Sequence, residues 1–303
     1  MKRIVKALAL VLCLVFALSA FAACKKTPEP AADPGTTAAP EATDAPVAAD
    51  VVKVIDVSLT DEEYGFGVAK NDDELLAKAN EYIAQIKADG TLDAIINNYF
   101  GDGTPAVISS AAEDSSKDQL VVATNAAFPP FESTEGENFT GIDMELAKGL
   151  ADFLGKELVI KNIEFDTVLP TVDAGQADIA ITGLTINETR KQTVNFTDSY
   201  YTASQVLVVP ADDATFDGAA DTDAVVEILN GLTASDKIGV QKGTTGQFYV
   251  EGDADWKFPG LAAECVAFSN GALAVQDMIN GNVKYVIIDQ APAAFIAASF
   301  NGK

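Results

Sequence analysis

Past position 23 the chain contains a single arginine, and every other basic residue beyond that point is a lysine. Arg190 stands in TGLTINETRKQTVNFTDSYY. A guanidinium is planar and presents two parallel N–H donors, a fork that fits a carboxylate. A lone arginine after a strand and a Gly-Leu-Thr turn is placed to hold a ligand carboxylate; the alternative is a salt bridge on a helix surface. Asp289 ends the apolar run KYVIID. A carboxylate at the C-terminal edge of an α/β strand faces the crevice where ligands bind, so it can meet an ammonium, or else cap the next helix. Thr245, in KGTTG, opens a candidate helix whose backbone N–H groups favour anions; a plain cap is the alternative. Phe128 precedes Pro129-Pro130 in a loop, and Phe165 lies in EFDTVLP just before a helix. Aromatics in such places wall binding sites, or join the core.

Other chemistries are missing. The chain has no histidine, which excludes histidine triads, histidine-ligated zinc and the usual general base. Its three cysteines are Cys13, Cys24 and Cys265, and their contexts offer no disulfide. Cys265, alone in ECVAF, reads as a small core residue. No metal or cofactor is implied, and the composition favours a binding protein.

The elements that must position these residues begin after an export signal. MKRIVK is a charged segment, ALALVLCLVFALSAFA an apolar one, and Ala22-Ala23 precede Cys24. The apolar run is short and ends at a small-residue cleavage site, which marks a signal over residues 1–23. A cysteine at that cut resembles the bacterial lipobox, so Cys24 is expected to carry lipid; ordinary secretion with a free thiol is the alternative. Residues 24–50 are rich in Pro, Ala, Thr and acid and read as a disordered leash with a reach of roughly 25–30 Å. Removing Lys2, Arg3 and Lys6 leaves 17 basic against 45 acidic residues, a net charge of −28. That charge argues against nucleic acid and against adhesion to anionic lipid.

From residue 51 the pattern alternates strand and helix and reads as α/β. VVKVIDV and YGFGVAK are strands, with Asn71 capping a helix in which Leu75, Leu76, Ala79, Tyr82, Ile83 and Ile86 recur at helical spacing. TLDAIINNYF is a second helix. Residues 102–118 are small and polar and read as an internal linker. LVVATN, ELVIKNI, DIAITG, SQVLVVP, KIGVQ, ECVAF and KYVIID follow as strands, separated by helices such as GIDMELAKGLADFLG, TVLPTVDAGQ and NGALAVQDMING. The span 51–303 is long for one core and natural for two lobes.

The words VVATNAAFPPFE, GIDMELA, IEFDTVLPTVDAGQADIAITGLTINETRKQTVNFTDSYY, IGVQKGTTGQ and VIIDQAPA closely resemble the polar amino-acid binding proteins of ABC importers. The resemblance implies a two-lobed periplasmic-binding-protein type II fold with a sheet in each lobe. It implies that Arg190 and the N–H groups of Thr185 and Thr245 hold the ligand carboxylate. Asp289, the Thr185 hydroxyl and the Gly183 carbonyl would hold the ammonium. Phe128 and Phe165 match the aromatic walls. Asn125 and Gln241 fall at side-chain positions that are Asp and Lys in some relatives. An Asn cannot neutralise a cation as Asp does, so a neutral and polar amino acid is expected.

The order of segments departs from the family. The stretch from VIDVSLT to NNYFG, last in relatives, comes first here. The chain therefore resembles a circular permutant with its ancestral ends joined through residues 102–118. A truncated tandem pair, or exchange of the N-terminal segment between two molecules, is the alternative. The expected boundaries are lobe 1 over 65–199, lobe 2 from 51–59 and 205–303, and hinges at 60–64 and 200–204. The function implied is that of a lipid-anchored extracytoplasmic receptor, monomeric, that closes on an L-amino acid and delivers it to an ABC permease. An enzyme resembling the cyclohexadienyl dehydratases, or a sensory or scaffolding lipoprotein, is the competing reading.

Overall fold

A computed structural model describes residues 49–303. The signal, Cys24 and nearly all of the leash lie outside the described residues. The chain runs through β1 (Val52–Ile55), β2 (Glu62–Tyr64), β3 (Gly67–Ala69), α1 (Asp73–Ala88) and α2 (Thr91–Phe100). After residues 101–118 come β4 (Gln119–Thr124), β5 (Ala127–Phe128), β6 (Glu132–Glu135), β7 (Asn138–Thr140), α3 (Ile142–Leu154), β8 (Glu157–Asn162), α4 (Phe165–Asp173), β9 (Ile179–Ala180), α5 (Glu188–Thr193) and β10 (Val194–Phe196). The last run holds β11 (Tyr201–Ala203), β12 (Gln205–Pro210), α6 (Thr222–Asn230), β13 (Lys237–Gln241), α7 (Thr245–Glu251), β14 (Glu264–Phe268), α8 (Gly271–Ile279), β15 (Tyr285–Asp289) and α9 (Gln290–Phe300).

Two five-stranded sheets carry the molecule. Sheet I has the order β1-β12-β15-β13-β14 and sheet II the order β10-β3-β9-β4-β8. Each repeats one pattern, two antiparallel pairings followed by two parallel ones. The parallel strands are the ones that need helical crossovers and are covered on both faces, hence the unbroken apolar runs in β4 and β15. Met144, Leu146 and Leu150 of α3 are fully buried, each contributing roughly 1.5–3 kcal/mol of burial.

The chain crosses between the sheets twice, at β2 and at β11. These two short strands pair antiparallel, Tyr64 opposite Tyr201 and Glu62 opposite Ala203. The N-terminal segment contributes a strand to each sheet. β3 occupies an interior place in sheet II, between β10 and β9, and β1 pairs with β12 from Val52–Pro210 to Ile55–Leu207. Asn301 clasps the start of β1: its Oδ1 accepts from Val51 N at 2.8 Å and its Nδ2 donates to the Val52 carbonyl at 3.0 Å. Residues 102–118 hold no named element, yet they are tied down. Ile108 exchanges two backbone bonds with Phe139, and Ala111 N donates to Leu158 O at 2.9 Å, covering the free edge of β8.

Several local expectations change. The cap of α1 is Asp72, whose side chain accepts from Leu75 N, and not Asn71. YGFGVAK is not one strand: it breaks at Gly65-Phe66 because its first part joins the crossing ribbon and its second joins sheet II. Phe165 is the first residue of α4 rather than a residue before it, and Phe128 sits in the short strand β5 rather than a loop. Cys265 is only partly buried, on the edge strand of sheet I, so it is not a full core residue. Burial, with the nearby Glu251, pushes its thiol up to about 12, which leaves it unreactive.

Candidate functional site

Arg190 lies in α5, a short helix capped by Asn187, whose Oδ1 accepts from Arg190 N at 2.6 Å. Its side chain turns inward and the residue is 7% exposed. The guanidinium donates to the carbonyls of Thr185 at 2.9 Å and Gly243 at 3.0 Å, and lies 5.4 Å from the centre of the Phe165 ring. It forms no ion pair among the described residues. The surface salt bridge is therefore overturned. A buried cation held only by neutral carbonyls, with donors to spare, is costly unless an anion joins it.

Around it the fold gathers Phe128, Phe165, Gly183, Thr185, Gln241, Thr244, Thr245 and Asp289, which with Arg190 line one space between the two sheets. Eight of the nine residues singled out from the sequence thus meet there. Asn125 does not line the space but stands behind Gln241, which donates to it. The space measures about 10 Å³ in this arrangement, about one water. A space of that size holds nothing larger than a water unless its walls part. A larger cavity of about 200 Å³ adjoins that ribbon and shares only Asp289 with the site; it lacks the arginine.

The donors are set by backbone geometry. Thr185 forms a bridge with Tyr64 whose bonds run from Gly65 N to Leu184 O and from Ile186 N to Glu63 O. The Thr185 N–H takes no part in that bridge. Thr245 is the first residue of α7, where helix N–H groups have no partner within the helix. Gly183 has φ +50°, and a Cβ there would sit 2.9 Å from the Phe128 ring. Only glycine lets Phe128 close on this turn.

Acceptors are set by buried acids that sequence reasoning missed. Glu62, 3% exposed in β2, accepts from the hydroxyls of Thr60 at 2.6 Å and Thr185 at 2.7 Å, and from Gln205 Nε2 at 3.0 Å. The Thr185 hydroxyl spends its one proton on Glu62 and accepts a long bond from the Thr245 hydroxyl at 3.4 Å, so it keeps a lone pair for a further donor. Asp289 accepts from the Tyr64 hydroxyl at 2.5 Å. Burial, and then the neighbouring charge of Glu62, push Asp289 up to about 7. Behind Gly183 lies a second acid pair. Asp143 accepts from Gly183 N at 2.6 Å and from the Tyr200 hydroxyl at 2.8 Å, and Glu132 accepts from Thr182 Oγ1 at 2.7 Å. Burial raises both carboxyls, Asp143 to about 7. Asp143 carries a sequence signal, an acid inside the otherwise apolar pattern of GIDMELA, whereas Glu62, flanked by Asp61 and Glu63, carries none.

Chemically the space offers a cationic fork and two free N–H donors on one side, and a carboxylate and hydroxyl lone pairs on another. That polarity suits a zwitterion. The family model described as bacterial extracellular solute-binding proteins, family 3, matches residues 14–102 and 120–290. The chain is 36% identical over 104 residues to an arginine-binding extracellular protein of Bacillus subtilis, covering 34% of this chain and 41% of that one. It is 32% identical over 174 residues to a probable histidine-binding protein of Neisseria gonorrhoeae, covering 57% and 59%. The matches thus span about two fifths to three fifths of these relatives' length. Among solved structures it is similar to an ancestral amino acid-binding protein described as a precursor of cyclohexadienyl dehydratase, with TM-score 0.52, 32% identity, and 60% and 74% of the two chains covered.

Proposed function

Since the chain belongs to the bacterial extracellular solute-binding proteins of family 3, we propose that it is a receptor that closes its two sheets on an L-amino acid and delivers it to an ABC permease. One observation carries the reading: Arg190 is buried without an anionic partner and faces a space bounded by Asp289. The ligand carboxylate would take the fork together with the N–H groups of Thr185 and Thr245. Its ammonium would take Asp289, the Thr185 hydroxyl and the Gly183 carbonyl, with the side chain between Phe128 and Phe165. The sheets with their helices act as lobes, and β2 and β11 as the hinge. Cys24 would tether the protein outside the cytoplasm. No helix of the described residues is long and apolar enough to cross a membrane.

The ligand we propose is neutral and polar, although relatives are described as binding arginine and histidine. Asn125 and Gln241 are both uncharged carboxamides, and the nearest rim charges, Lys242 and Asp166, are paired at 2.7 Å. The decisive experiment is a melting screen of the chain from residue 25 with the twenty amino acids. A micromolar ligand at millimolar concentration adds about 4 kcal/mol, a shift of several degrees. A flat profile with every amino acid overturns the reading, as does turnover of prephenate or arogenate.

We also read the segment order as a circular permutation. Support comes from β1 and β3 pairing within their own chain and from residues 50–52 meeting residues 301–303. A rearranged chain, 119–303 followed by 51–101, should melt cooperatively and bind the same amino acid within about tenfold. Failure to fold would sink the permutation.

A further inference from the structure

A chain of carboxamides fixes the polarity of the side-chain end of this site. The Ile163 carbonyl can only accept, and Asn125 Nδ2 donates to it at 2.8 Å. Asn125 is thereby pinned with Oδ1 facing outward. That oxygen in turn accepts from Gln241 Nε2 at 3.1 Å. A reversed Gln241 would set oxygen against oxygen, so its orientation is fixed too. What remains at the end is Gln241 Oε1. Gln241 is 2% exposed and lines the space beside Phe128 and Phe165, and its Oε1 has no hydrogen-bond partner among the described residues.

A buried acceptor without a donor is destabilising, and a site built this way rejects a ligand that cannot supply one. The donor has to be neutral. Among the described residues that line the space the one carboxylate is Asp289, which is held by Tyr64 and stands at the ammonium end, and Asp166 nearby is already paired with Lys242. Acceptor-only side chains, Glu and Asp, would set a carboxylate against Oε1. Purely apolar ones would leave it orphaned.

We propose that Gln241 Oε1, oriented through Asn125 by the Ile163 carbonyl, selects amino acids whose side chain carries a neutral N–H or O–H donor: carboxamides and hydroxyls. This rests on the amino-acid reading above and adds a polarity to it. Asn125 hangs from the β4 side and Gln241 from the β13 side, so the relay is complete only when the two sheets meet. Selection is then exercised in the closed form.

The test is calorimetric titration of the chain from residue 25, which contains the whole compact unit 47–303. The probes are near-isosteric pairs: L-threonine against L-valine, L-asparagine against L-aspartate, and L-glutamine against L-glutamate. In at least one pair the donor member should bind about tenfold or more tighter, the scale of one buried unsatisfied group. In Gln241→Leu that ratio should fall toward one. Should this variant fail to fold, Gln241→Glu keeps the size while it replaces the Nε2 donor with a carboxylate oxygen and adds a negative charge. It should raise the affinity of L-arginine or L-lysine relative to the wild-type ligand by about tenfold. Ratios within threefold in the wild type overturn the relay while leaving the receptor reading intact, provided some amino acid binds. So does L-arginine or L-lysine binding more tightly than every donor probe. Absence of heat with any amino acid overturns the receptor reading and the relay with it.

Discussion

Replacing Arg190 with alanine lowers the affinity for the amino acid found by the melting screen by a factor of about 30 to several thousand. The range corresponds to roughly 2–5 kcal/mol, the cost of removing one partner of a desolvated, hydrogen-bonded charge pair. The structure explains why the loss should be large. Arg190 is the only arginine past residue 23, and Lys242, beside the site-lining Gln241, is exposed and paired with Asp166. Nothing else can reach the ligand carboxylate with two parallel donors. Arg190→Lys should rescue little, because an ammonium is a point charge without the fork. The fold should tolerate the alanine, since the guanidinium has only carbonyl partners and carries a burial penalty that lowers its pKa. Calorimetry on both variants, with melting curves alongside, checks this. Binding retained within threefold would remove Arg190 from the site.

Asp289→Asn should act in opposite directions on binding and on stability. For binding, the ligand ammonium needs a carboxylate, so amino acids should weaken far more than their des-amino analogues. Equal losses for both would remove Asp289 from the ammonium site. The pH dependence follows from a carboxyl held at about 7. Wild-type affinity should fall as pH drops below about 7, approaching tenfold per unit, and the Asn variant should lack that slope. For stability, the fold favours the protonated carboxyl: about 7 in the folded chain against an ordinary 3.8. This group's contribution to stability is full below pH 3.8 and is lost as pH rises through 7. At pH 8 the Asn variant keeps an acceptor for Tyr64 without the buried charge. It should be more stable, on the order of 2–4 kcal/mol. An Asn variant that melts lower at pH 8 would contradict the burial argument.

Much of the molecule is written in local pattern. α1 shows why: its apolar residues recur at helical spacing, and Ala79, Tyr82, Ile83 and Ile86 are the ones the structure buries. The runs in β4, β12, β13 and β15 are legible because strands covered on both faces must be apolar throughout. Misreadings gather where two sites compete for one stretch. YGFGVAK looks continuous, but Tyr64 goes to the crossing ribbon and Gly67 to sheet II. Asn71 and Asp72 are equally good caps by type, and only the approach of the chain from β3 chooses Asp72.

By itself the sequence determined the α/β alternation, the absence of histidine chemistry and the residue types that suit a zwitterion, each a property of composition or of short-range spacing. Only the tertiary structure decided which neighbours those residues have. Glu62 lies 123 positions from Thr185, Tyr64 lies 225 from Asp289, and Asn125 lies 116 from Gln241. No local pattern encodes such pairings. They exist because two crossings bring the ends of two sheets face to face, and because water excluded from that space leaves each buried donor and acceptor to find a partner in the protein or in a ligand.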